Sequence, residues 1–237
     1  MSDLGWEGAV RSHGKLRQLG DGLWEVTGSL PWMPLPRNMV LHRLPDGGLL
    51  VHNAVALHEE AMREVESLGA PRVLVVPSRF HRLDAARYKE RYPEMTVVAP
   101  VEARTKVAEK VVVDATAEEF LPTVGVRCHA PPGLRPLELA YEVPMGQGSG
   151  LLFNDALFNL DHLPGATGLI LKAFGATGFF GMTLTDRLVF LRDRAQFQAW
   201  LREMARSKTL RAICVAHGNA TLENANGALE SAASRLD

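Results

Sequence analysis

A chain of 237 residues, 46% hydrophobic and 22% charged, has the apolar mass for a substantial core in a single domain over 1–237, since no linker divides it. Its formal net charge of −1 gives no general field for nucleic acid or an anionic membrane, so neither is expected as a partner.

The first residues, MSDLGWEGAVRSHG, lack the basic start and apolar core of a secretory signal, and no apolar run reaches spanning length. A cytoplasmic location is the expectation. Residues 15–27 read as a hairpin turning at Gly20-Asp21-Gly22. Three prolines interleave with Leu30, Trp32, Met33 and Leu35 over 28–38, which forbids a central strand. That loop is either a flap over a pocket, with Trp32 facing a ligand, or a segment pinned to the core by Trp32. Strands over 39–43 and 49–52 flank a Pro45-Asp46-Gly47-Gly48 turn. Leu57, Ala61, Val65 and Leu68 fall at helical spacing over 56–68, with Gly69 as the stop.

Residues 73–76 are a buried strand that Pro77 ends, a polar loop follows over 78–82, and a helix runs over 83–92. A strand over 96–99 and a helix over 101–109 come next, then short strands over 111–113, 126–129, 137–143 and 150–153. The glycine-rich stretch 163–181 holds Gly-Ala-Thr-Gly twice and reads as a helix pair or a homo-oligomer contact. A helix over 193–206 buries Phe197, Trp200, Leu201 and Met204 on one face. A strand over 210–215 leads to His217-Gly218, and a last helix over 221–236 is capped by Asn219 or Thr221. Cys128 and Cys214 lie in apolar runs and read as reduced thiols. The order of elements fits a three- or four-layer α/β sandwich.

The loops after successive strands carry His52, His81, His129, Asp155 and His217. Imidazole and carboxylate just past strand ends are what a zinc, iron or manganese site on a sheet edge requires. Each also has a structural reading, the histidines as hydrogen-bonded residues and Asp155 as a turn former.

Gly22-Leu23-Trp24-Glu25-Val26, Gly48 to Asn53, Gly150 to Phe158 and Ala212 to Gly218 together resemble the motifs of the metallo-β-lactamase superfamily, and the resemblance runs through most of the chain. It implies an αββα sandwich, with two mixed sheets flanked by helices. It also implies an Asp ligand at Asp155 and a His ligand at His217. The family's His-x-His-x-Asp-His motif is replaced here by Ser78-Arg79-Phe80-His81-Arg82-Leu83. His81 falls on a spacer position and Arg82 takes the place of the general base. His52 stands at the first-motif Asp, and Leu134 at the third-motif His with His129 upstream. The wording resembles a divergent branch with a degenerate metal motif.

Two functions follow as expectations. The first is a hydrolase-like protein with at most one zinc, iron or manganese ion at His81, Asp155 and His217, with His52 or His129 as further ligands. Its substrate would be a small ester, lactone or anionic molecule met by Trp32, Arg79 and Arg82, since guanidinium groups suit phosphate or carboxylate. The second is a metal-free, non-catalytic member that binds an anionic small molecule or a protein partner. A mutually paired Asp155 and His217, left over from a lost site, is a third.

Overall fold

The computed structural model describes residues 5–237 except 163, 174 and 176. The contacts of the chain divide into two compact units, Met1–Val126 and Arg127–Asp237.

In the first unit the strands add in chain order to one seven-stranded sheet: β1 (Arg17–Gly20), β2 (Leu23–Ser29), β3 (Pro36–Arg43), β4 (Leu49–His52), β5 (Pro71–Val75), β6 (Thr96–Ala99) and β7 (Ala115–Thr116). β1 to β4 pair antiparallel through tight connections, and β4 to β7 pair parallel. Parallel neighbours need crossovers, and α2 (Glu59–Leu68), α3 (Ala85–Arg91) and α4 (Arg104–Ala108) supply them. A short α1 (Gly5–Ala9) precedes β1, and α5 (Ala117–Phe120) follows β7. Met62 and Val65 of α2 and Tyr88 of α3 join Met39, Leu41, Val51, Leu74 and Val97 in one core. The Tyr88 hydroxyl donates to the Val55 carbonyl at 2.9 Å, so its polar tip is satisfied there.

The expected elements shift by physical causes. β3 begins at Pro36, a first-strand position where the missing N–H costs nothing in the ladder. Residues 56–58 lie outside α2 although Ala56 and Leu57 are buried, so their apolar character marks a buried entry to the helix. No strand forms over 111–113. Val111 and Val113 are buried there, and the pairing with β6 is made by Ala115 and Thr116.

The second unit holds a four-stranded sheet in the order β13-β10-β9-β8, built from β8 (Arg127–His129), β9 (Ala140–Met145), β10 (Gly148–Phe153) and β13 (Leu210–Val215). β11 (Phe158–Leu160) and β12 (Phe179–Gly181) form a separate antiparallel pair. The helices are α6 (Gly165–Ala173), α7 (Leu184–Phe190), α8 (Arg194–Ala205) and α9 (Ala225–Ser234). Phe197, Trp200 and Leu201 of α8 pack with Leu229 and Ala233 of α9 and with Leu151, Phe153 and Ile213 of the sheet. Asp193 caps α8 by accepting the Gln196 N–H at 3.0 Å. The cap of α9 is Asn224, neither Asn219 nor Thr221, because Thr221 is held in a backbone bridge with Ile213. The glycine-rich stretch gives α6 and β12 rather than a helix pair. Residues 163, 174 and 176 of that stretch, and residues 1–4, lie outside the described residues. Cys128 and Cys214 form no disulfide. No helix among the described residues is long and apolar enough to cross a membrane.

Candidate metal centre

β10 and β13 run parallel with Leu152 opposite Cys214 and Phe153 opposite Val215. Both strands therefore release the chain at the same sheet edge, the carboxyl end where α/β proteins place their chemistry. Two residues past each end stand Asp155 and His217. Both are buried, and Asp155 Oδ1 lies 3.2 Å from His217 Nε2.

The backbone around them is built for that meeting. Gly218 has φ of 110°, and a Cβ there would stand 2.1 Å from the Asn159 carbonyl oxygen. Only glycine tolerates such a turn and such an approach. Asn159 N–H donates to the His217 carbonyl at 3.1 Å, and Asn219 N–H donates to the Asn159 carbonyl at 2.8 Å. The Phe158 ring stacks on the His217 imidazole with centroids 5.0 Å apart. Glu138, buried at the approach to β9, accepts the N–H groups of Asp155 at 2.9 Å and Ala156 at 3.0 Å, which fixes the turn after β10.

Burial, reinforced by the charge of Asp155, pushes the Glu138 carboxyl well above the usual range. Asp186 caps α7 together with Thr183: its N–H donates to Thr183 Oγ1 at 3.1 Å, and that hydroxyl donates to the Asp186 carboxylate. Burial pushes Asp186 up to about 6 against the opposing Thr183 hydrogen bond, and Asp155 adds to the rise. Three carboxyl groups thus share a buried neighbourhood with one imidazole. The Asp155 oxygen and the His217 imidazole are donors that fit a divalent cation.

In the first unit His52 ends β4, fully buried, and burial followed by the nearby His81 holds its imidazole down to about 3. Asn53 follows in the left-handed region with φ of 58°, its N–H donating to the Val75 carbonyl at 3.1 Å. His81 Nδ1 meets Asn53 Oδ1 at 3.1 Å. Of the residues expected to receive an anion, Arg79 lies over the Phe80 ring at 4.7 Å. Arg82 turns its guanidinium to the Lys106 carbonyl and to Glu109, 2.9 Å away, so its charge is already neutralised. Trp32 is 68% exposed, which excludes a segment pinned to the core by that ring. His129 Nε2 sits 3.1 Å from Glu142 on the neighbouring strand.

Several residues of consequence are absent from the sequence-based set. Asp84 does not cap α3. It is buried in an ion pair with Arg37 and accepts the Ala56 N–H at 2.8 Å. Asp186 was announced by Thr183-x-x-Asp186, a capping-box spacing. Glu138 showed itself only as a carboxylate within an apolar run. Asn53 carried no signal beyond following His52.

No family model matches the chain, and no curated protein does. Solved structures do. The chain is similar to a metallo-β-lactamase from Erythrobacter litoralis, with 15% identity, 93% of this chain and 96% of that one covered, and a TM-score of 0.59. It is also similar to the metallo-β-lactamase FIM-1 from Pseudomonas aeruginosa in a mono-zinc form, with 11% identity, coverage of 96% and 97%, and a TM-score of 0.61. DIM-1 metallo-β-lactamase matches at 12% identity over 95% of this chain and 100% of that one, with a TM-score of 0.61.

Proposed function

Starting from a chain that has the metallo-β-lactamase fold, we propose a hydrolase-like protein in which Asp155 and His217 hold a single divalent ion; His81 is read as a metal ligand on its own chemistry, an imidazole held by Asn53. The observation that carries this reading is the buried Asp155–His217 approach at the shared end of β10 and β13. The oxygen and imidazole donors that meet there support a cation, and the similar FIM-1 structure in a mono-zinc form supports one ion. An ion there would supply Lewis acidity to an ester or lactone carbonyl.

The chain's own groups do the rest. Asp155 brings a carboxylate oxygen and His217 an imidazole nitrogen. Glu138, whose carboxyl burial and the charge of Asp155 push up, braces the Asp155 backbone. Asp186, with its carboxyl up to about 6, can release and recover a proton near neutrality. Arg79 remains the guanidinium suited to an anionic substrate group, and exposed Trp32 offers an apolar surface for its body.

The test is metal content of the purified chain by mass spectrometry, after dialysis against zinc, iron or manganese. One equivalent per chain is expected, with loss in both Asp155→Ala and His217→Ala. No stoichiometric metal and no change in melting temperature with any of the three ions would refute it. A second reading, a metal-free binder of an anionic molecule or protein, draws on the direct Asp155–His217 contact, which satisfies both groups without an ion.

A further inference from the structure

Asn53 is in neither the expected ligand set nor the expected binding set, yet its geometry decides what His81 can do. Its side-chain Nδ2 donates to the Asn38 backbone carbonyl at 2.7 Å. A carbonyl oxygen can only accept, so this contact fixes which end of the carboxamide is nitrogen. Oδ1 then faces His81 Nδ1 at 3.1 Å, and an amide oxygen is also only an acceptor. For neutral His81 this acceptor favours the proton on Nδ1 and the lone pair on Nε2.

The carboxamide is itself held in place. Asn53 occupies the left-handed region, its N–H is tied to Val75 of β5, and Asn38 is buried with its Oδ1 accepting from Thr27 Oγ1 at 2.8 Å. Asn is one of the few side-chain-bearing residues that adopts that conformation readily. The line from β2 through β3 and Asn53 to His81 thus joins four segments of the first unit.

We propose that Asn53 is a positioning residue: it fixes the Nδ1-protonated tautomer of His81 and so presents Nε2 to a metal ion. This rests on the reading of His81 as a ligand. Orienting partners of this kind influence affinity because they remove the wrong tautomer and the wrong ring angle from the free state.

The experiment uses the full chain, labelled with 15N-histidine and freed of metal. Long-range proton–nitrogen correlation spectra report which nitrogen of each imidazole bears hydrogen, and the His81 signals are identified by their loss in His81→Gln. Neutral wild-type His81 is expected to show a protonated δ1 and a bare ε2 nitrogen. Asn53→Gly accommodates φ of 58° while deleting the carboxamide, so it folds and lets the ε2-protonated form appear. Asn53→Asp tolerates the same backbone and restores an acceptor, so the tautomer returns. Zinc affinity, read by competition with a chromogenic chelator, is expected to fall about 10- to 100-fold in Asn53→Gly. It should recover most of the way in Asn53→Asp. An ε2-protonated His81 in wild type, an unchanged tautomer in Asn53→Gly, or an unchanged zinc affinity there overturns the proposal. If the tautomer shifts as expected and no variant or wild type binds zinc, the metal reading fails while the Asn53–His81 assignment stands.

Discussion

Arg37 and Asp84 show what single side chains contribute away from the ligands. Their ion pair is buried on both sides, and Asp84 also accepts the Ala56 N–H, so it joins β3, the segment after β4 and the start of α3. Removing one partner leaves the other charge buried and uncompensated. Asp84→Ala is expected to lose about 3–5 kcal/mol in urea unfolding. The double replacement Arg37→Met/Asp84→Leu should recover much of that, and a double mutant as unstable as the single would refute the account. At this scale the placement of Asp155 and His217 just past strand ends was legible, because a polar residue soon after an apolar strand announces itself. The partners of Arg82 and Asp84 were not, since Glu109 and Arg37 are brought to them by tertiary packing over 27 and 47 residues of chain.

The elements divide the same way. β5 and β6 were plain from their valine runs, as were α8 and the hairpin of β1 and β2. β11 and β12, with three residues each, have too little period to stand out in a glycine-rich neighbourhood. Element-level features make two further predictions. Thr183→Ala, which removes the reciprocal cap of α7, should cost about 1 kcal/mol. Trp32→Ser should leave stability within about 0.5 kcal/mol because the ring is exposed. A larger loss of melting temperature in Trp32→Ser would mean that the proline-rich loop is anchored through that ring after all.

For the whole molecule, buried imidazoles set the acid response. Burial lowers the titration of His42 despite its contact with the Gly22 carbonyl, and burial takes His52 to about 3. Unfolded, each titrates near the ordinary value of about 6.5, so below that pH the unfolded chain binds more protons than the folded one. Stability is therefore flat above that pH and falls as the pH drops through it, with a slope of at most about 1.4 kcal/mol per pH unit for each group. His42→Asn should show a shallower fall as the pH drops below about 6.5 in metal-free protein. An unchanged slope would contradict neutral burial of that ring. The fold class, mixed α/β with two sheets and flanking helices, was legible because alternating strands, helices and turns extend through the chain, and the similar structures cover more than nine-tenths of it. Whether the chain hydrolyses anything was not, because that depends on ligands and substrate contacts rather than on periodicity.

The parallel seam between β10 and β13 has a consequence for biogenesis. Asn159 and Asn219, which link the turns just past the two strands, are 60 residues apart in the chain. Joining them closes a long loop, a slow step compared with hairpins or local helices. Asp155 is therefore expected to meet His217 after the local β9–β10 hairpin has paired. Until β13 arrives, one side of β10 presents an open row of amides and carbonyls flanked by Leu151, Leu152 and Phe153. A chain clipped ahead of Leu210 would lose the Asp155–His217 pair and gain an unpaired sheet edge in the same cut.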